Sequence, residues 1–128
     1  MRLLLDTHTL LWAMNRDPQL SRNGLAATED PGNEAIVSVA SVWEAAIKFR
    51  SGKLPEAAVL LSVPQAILTS MGFLAMPVQL EHAKLAGSLV SPHKDPFDRM
   101  LAAQALLEGL TIVSADAVFD ALLVPRLW

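Results

Sequence analysis

The amino-acid sequence predicts an α/β fold, a three-layer α/β/α sandwich around a central, mostly parallel sheet of four to five strands. Three observations predict it. Short apolar runs (Arg2-Leu3-Leu4-Leu5, Ala35-Ile36-Val37-Ser38, Phe73-Leu74-Ala75-Met76 and Thr111-Ile112-Val113-Ser114) alternate with segments of helical spacing. The 128 residues make one domain, 1–128, and a 52% hydrophobic content supplies a core for both faces of a sheet. No repeat, linker or low-complexity tract interrupts the pattern.

The elements follow in order. The first strand, Arg2 to Leu5, ends at Asp6, and a helix follows over Thr7 to Asn15. Asp17-Pro18 breaks the chain, Ser21 caps a short helix to about Glu29, and Asp30-Pro31-Gly32-Asn33 is a turn. After the second strand, Ser41 and Glu44 have the spacing of a capping box, with a helix running to Arg50 and stopping at Gly52. Pro64 forbids one continuous helix over 56–72. The expectation there is a cap at Ser62 and a helix from Val63 to Met71, ending at Gly72; 57–61 is either helix or irregular. A helix over Gln79 to Leu89 follows the third strand.

Asp95-Pro96-Phe97-Asp98 is a helix start. Asp95 reads as the cap, Pro96 as the first helical residue, and Asp98 sits in the first turn beside the positive end of the helix dipole. That helix ends at Glu108-Gly109. Beyond the fourth strand, Ala117 to Leu122 reads as a short helix and Val124 to Trp128 as an edge strand, where Pro125 is tolerated.

Composition narrows the function. The chain lacks cysteine, so disulfides and thiolate metal sites are excluded. No apolar run approaches the roughly 20 residues of a membrane helix, and the apolar segment after Met1 is too short for a signal peptide. A cytoplasmic protein is expected. The formal charge of −3 argues mildly against a nucleic-acid binder. Leaving four acids out for a metal, ten cations face nine remaining acids, a net of +1. The high apolar content is also compatible with a surface covered by another chain.

In open α/β sheets, ligands sit at the carboxyl ends of the strands. Asp6 and Asp116 follow strands directly. Glu44 and Asp98 lie in the first turns of helices that enter from the same edge. Each has an ordinary reading as a helix cap, but capping does not require four acids on one rim. Clustered carboxylates raise each other's pKa, a cost that a divalent cation removes. Hard oxygen donors without Cys or His suit Mg²⁺ or Mn²⁺, which activate water and stabilise phosphoryl charge. Thr7, Ser38 and Ser41 are candidate hydrogen-bond donors to ligand or phosphate, or plain caps. Lys94 and Arg99 flank the proposed site as candidate phosphate contacts, and Lys48, Arg50 and Lys53 are either further contacts or a solvated face. His8, His82 and His93 are too scattered for a zinc site, and Trp12 and Trp43 read as core or interface before base stacking.

These pieces carry a resemblance. Leu4-Leu5-Asp6-Thr7-His8, Ser38-Val39-Ala40-Ser41-Val42-Trp43-Glu44, Asp95-Pro96-Phe97-Asp98-Arg99 with Ala102-Ala103-Gln104-Ala105, and Val113-Ser114-Ala115-Asp116 occur in this order across the chain. Together they resemble the PIN-domain ribonucleases, in particular the VapC-type toxins of prokaryotic toxin–antitoxin pairs. The chain departs at Ser114, where Thr is frequent in the family. The resemblance implies a PIN-like fold and an endoribonuclease dependent on Mg²⁺ or Mn²⁺. Asp6 and Asp98 would be the main metal ligands, with Glu44 and Asp116 completing the catalytic site directly or through water. It further implies tRNA or rRNA as substrate, a small cognate antitoxin that blocks the site, and a homodimer.

Two other classes compete. A phosphatase of the haloacid-dehalogenase type needs Asp-x-Asp after the first strand, but the chain has Asp6-Thr7-His8; a receiver domain needs an acceptor Asp after a middle strand, where Ser38 and Met76-Pro77 stand. A catalytically silent partner-binding module has no need of all four acids.

Overall fold

A computed structural model describes residues 1–128. The chain runs β1 (Arg2–Leu5), α1 (Thr7–Asn15), α2 (Arg22–Glu29), β2 (Glu34–Ser38), α3 (Val39–Arg50), a 3₁₀ turn (Pro55–Ala57), α4 (Ala58–Ser62), α5 (Pro64–Met71), β3 (Leu74–Met76), α6 (Leu80–Ser88), α7 (Pro96–Glu108), β4 (Thr111–Val113), α8 (Val118–Ala121) and β5 (Arg126–Leu127). The five strands form one sheet in the order β3-β2-β1-β4-β5. Every pairing is parallel, with Leu5 of β1 opposite Val37 of β2 and Val113 of β4. This is the three-layer α/β fold that alternating strands and helices predict.

The layers follow from the pleat. Alternate residues of a strand point to opposite faces. Leu3 and Leu5 therefore pack with Leu10, Leu11, Leu60 and Leu68 on one side, and Leu4 packs with Leu101, Ala102, Ile112 and Phe119 on the other. Ala102 and Ala105 pack with Leu4, Ile36 and Ile112 and keep α7 close to the sheet, since small side chains permit close backbone approach.

Strand order places the functional edge. From β1 the chain crosses to β2 and β3 on one side, then returns to build β4 and β5 on the other. The order reverses between β1 and β4, and a crevice opens at their carboxyl ends.

Two expected helix starts are corrected. Ser38, not Ser41, caps α3: its hydroxyl accepts from Ala40 N at 3.1 Å. The strand runs straight into the helix, so the last strand residue is already the cap. Ser41 is buried inside α3, its hydroxyl without a partner, and Glu44 lies beyond the first turn. Ser62 does not cap α5 either. Its hydroxyl donates to Val59 O at 2.9 Å within α4, and Pro64 opens α5 without a side-chain cap. Of residues 57–61, left open by the sequence, Ala57 ends the 3₁₀ turn and 58–61 are helical, in an α4 that also takes in Ser62. The stops at Gly72 and Gly109 occur as expected, at φ +71° and +66°, where a side chain would be strained.

Candidate active site

The crevice is a cavity of about 220 Å³ whose walls include Asp6, Thr7, Glu44, Lys48, Asp95, Asp98 and Asp116. The four acids expected at one rim do share it, and Asp95 joins them.

Each is held by local structure. Asp6 ends β1 and caps α1, with Oδ1 accepting from Thr9 N at 2.8 Å. Its Oδ2 accepts a hydrogen bond from the hydroxyl of Ser114. The start of α1 is pinned to β4 as well, because Asp6 N and the Thr9 hydroxyl both donate to Val113 O. Ser114 is fully buried and accepts from Asp116 N at 3.0 Å, so one hydroxyl links the two strand-end acids. Asp116 caps the following turn through Val118 N at 2.9 Å.

Glu44 is buried on α3. The Thr7 hydroxyl donates to its Oε1 at 2.5 Å, and the Lys48 ammonium donates to Oε2 at 2.7 Å one helical turn away. Burial alone pushes Lys48 down, but the bond to Glu44 and the fields of Glu44, Asp95 and Asp98 outweigh it and hold the ammonium above its ordinary pKa.

Asp95 caps α7 as expected, with Oδ1 accepting from Phe97 N at 2.8 Å and Asp98 N at 3.1 Å. Asp98 sits in the first turn, its side chain only 21% exposed, with Oδ2 2.9 Å from His93 Nε2. Burial raises its carboxyl to about 6, with Asp95 and Glu44 adding to the rise and the His93 contact opposing it. Five carboxylates thus share a wall with one ammonium.

The family model of the PIN domain matches residues 3–122. The chain belongs to the PIN domain family. No curated protein matches it in sequence. Among solved structures, the PIN domain is similar to VapBC2 from Rickettsia felis bound to a promoter DNA fragment, at 17% identity and TM-score 0.72, covering 99% of this chain and 98% of that one. It is also similar to DNA-bound VapBC from Salmonella typhimurium, at 18% identity and TM-score 0.66 over 99% and 97% of the two chains. FitAcB from Neisseria gonorrhoeae aligns at 22% identity and TM-score 0.63 over 98% and 96%. At these identities the likeness is one of fold.

The remaining candidates of this PIN domain divide. Thr7 is in the cavity on Glu44. Ser38 is buried and spent on its cap. Lys94 is exposed on the loop before α7 and does not line the cavity. Arg50 and Lys53 are exposed, whereas Lys48 points into the site. The Arg99 guanidinium turns away from the cavity to four backbone carbonyls. Ser114 and His93 are the contacts that sequence reasoning missed. A serine at a strand end gives no local signal of its role, and nothing in the spacing of the three histidines ties His93 to Asp98.

The donor set tests the fit of a metal. All the carboxylates present hard oxygens, and the excess of negative charge calls for a cation. The side chains do not close on one point as a ready-made cage of three ligands. The chain contains no helix long and apolar enough to cross a membrane.

Proposed function

We propose that this PIN domain is a metal-dependent endoribonuclease acting as the toxin of a toxin–antitoxin pair. The observation that carries the reading is the convergence of Asp6, Glu44, Asp98 and Asp116 on one cavity at the reversal point of the sheet. Asp6 and Asp98 are the main ligands for Mg²⁺ or Mn²⁺, with Glu44 and Asp116 completing the shell directly or through water. Such an ion, when bound, activates water and neutralises charge on a scissile phosphate.

The chain's own groups do the rest. Ser114 and Thr9 N fix both oxygens of Asp6, and Thr7 and Lys48 fix both of Glu44. A phosphodiester meets an anionic wall here, so binding of RNA and of cations is coupled. Lys94 remains as a candidate substrate contact, since the single hydroxyl proton of Thr7 is committed to Glu44, and tRNA or rRNA is the proposed target class. One solved structure of this fold is a toxin–antitoxin complex from Klebsiella pneumoniae; by that likeness this chain has a small cognate antitoxin. A homodimer belongs to the same reading. Trp43, 63% exposed and edge-on to Phe97 at 5.0 Å, beside an apolar cavity of about 330 Å³, supports a covered surface.

The test is cleavage of structured RNA by the purified chain with Mg²⁺ or Mn²⁺, and growth arrest on expression that a neighbouring small protein relieves. RNA left intact by a folded, metal-supplied chain would remove the nuclease assignment. Unimpaired growth despite abundant folded protein would remove the toxin assignment.

A further inference from the structure

Arg99 follows Asp98 directly in α7, yet its guanidinium does not face the carboxylates. Nε donates to Ala86 O at 2.9 Å, Nη2 to Leu89 O at 2.6 Å, and Nη1 to His93 O at 3.0 Å and Ser91 O at 3.4 Å. Four of the five N–H groups of the fork are thus spent on backbone. The acceptors are the last turn of α6 and the loop over residues 89–94. That loop has no sheet or helix to satisfy its carbonyls, so Arg99 supplies the partners that regular structure would otherwise provide. The Ser91 hydroxyl adds an internal tie, accepting from His93 N at 3.2 Å.

The consequence lies at the end of the loop. With its carbonyl held by Arg99, His93 places Nε2 2.9 Å from Asp98 Oδ2. The His93 side chain is 30% exposed, so packing alone does not fix the ring; the strapped backbone and the carboxylate do. Asp98, which lines the cavity, is then held at Oδ2, and its Oδ1 has no hydrogen-bond partner.

We propose that His93 and Arg99 are positioning residues for Asp98: Arg99 builds the loop, and His93 fixes the carboxylate in the orientation that presents Oδ1 to a divalent cation. The inference rests on the reading of the cavity as a divalent-cation site. It reassigns Arg99 from phosphate contact to loop strut. A phosphate contact works through charge and survives largely as lysine. A four-carbonyl strut needs the planar fork and does not.

The experiment is a titration of the full chain with Mn²⁺ alone, followed by electron paramagnetic resonance, with RNA cleavage measured in parallel. Groups that orient a metal-binding side chain typically contribute about 10–100-fold in metal affinity. His93→Ala is expected to weaken Mn²⁺ binding by that factor, and His93→Gln, which keeps a nitrogen donor near the same place, to restore most of it. Arg99→Lys is expected to weaken Mn²⁺ binding as His93→Ala does, although the charge is kept. If Arg99→Lys fails to fold, the His93 pair decides alone. A folded His93→Ala chain whose Mn²⁺ affinity stays within about twofold of wild type overturns the inference while leaving a cleaving wild type intact. A folded wild type that binds no Mn²⁺ overturns both this inference and the site reading. His93-dependent Mn²⁺ binding without RNA cleavage supports the inference and removes the nuclease reading.

Discussion

Two hollows open on opposite edges of the same sheet. At the amino ends of β2 and β3 lies a groove of about 610 Å³, almost three times the volume of the carboxylate cavity at the other edge. Its floor is apolar, with Ala13, Leu25, Met71 and Phe73, and its few polar groups are engaged with one another or with backbone, its net charge being a single negative. Arg16 pairs with Glu29 at 2.7 Å, Asp30 caps its own turn through Gly32 N, and Asn33 donates to Ala27 O. The smaller hollow is the reverse. Five carboxylates face one ammonium, and one of them is held near pKa 6. Size therefore does not identify the functional edge. Under the proposed function the excess of carboxylates marks the functional edge, and Asp98, raised to about 6 chiefly by its burial, is the one among them whose charged form carries a resolved cost.

The comparison is broken most severely by neutralising the acids. Loss of a ligand to the metal forfeits several kcal/mol of transition-state stabilisation, so Asp6→Asn or Asp98→Asn is expected to lower RNA cleavage by about 100–1000-fold or more in single-turnover assays. Ser114→Ala is expected to lower cleavage by about 10-fold or more, since it frees Asp6 Oδ2 and the backbone of Asp116 together, while Ser114→Thr, which keeps the hydroxyl, retains most of the activity. Wild-type rates for Ser114→Ala would show that the Ser114 bond does not position the acids.

Stability sharpens the contrast in the opposite direction. The Asp98 carboxyl is raised from an ordinary 3.8 to about 6, so the folded chain binds its proton more tightly than the unfolded chain. That contribution is fully present below the ordinary pKa and is lost as pH rises through 6. In EDTA, Asp98→Asn is therefore expected to raise the melting temperature by about 3–5 °C at pH 7.5, with the advantage vanishing near pH 4. A melting curve unchanged or lowered at pH 7.5 would show that Asp98 carries no such cost. The smallest effect belongs to the groove. Arg16→Ala changes stability by at most about 1 kcal/mol in urea denaturation, as exposed pairs do, and leaves cleavage within about twofold.

The legible part of this chain was local or periodic. Apolar runs separated by helical spacing give the strands, and Asp95-Pro96 marks its helix start because a cap acts within three residues. The convergence of the acids was legible too, since a parallel sheet sends every strand end to one edge. What stayed hidden had competing local solutions or distant partners. Ser38 and Ser41 both stand ahead of the helical segment as residues able to cap it, and only the unbroken passage from β2 into α3 selects Ser38. Lys48 stands one helical turn after Glu44, a pairing readable in sequence that its exposed neighbours Arg50 and Lys53 obscured. Ser114 reaches Asp6 from the far end of the chain, and the Arg99 fork meets loop carbonyls that no side-chain pattern announces.

The central claim is that the carboxylate cavity cleaves RNA with a divalent cation. The most direct measurement is cleavage of one structured RNA by wild type, Asp6→Asn and Asp98→Asn, purified identically and titrated with Mg²⁺ or Mn²⁺ from an EDTA baseline. A metal-dependent cavity gives no cleavage in EDTA, a rise with added ion for wild type, and flat baselines for both variants. Equal cleavage by all three proteins, or cleavage by wild type that persists in EDTA, would contradict it.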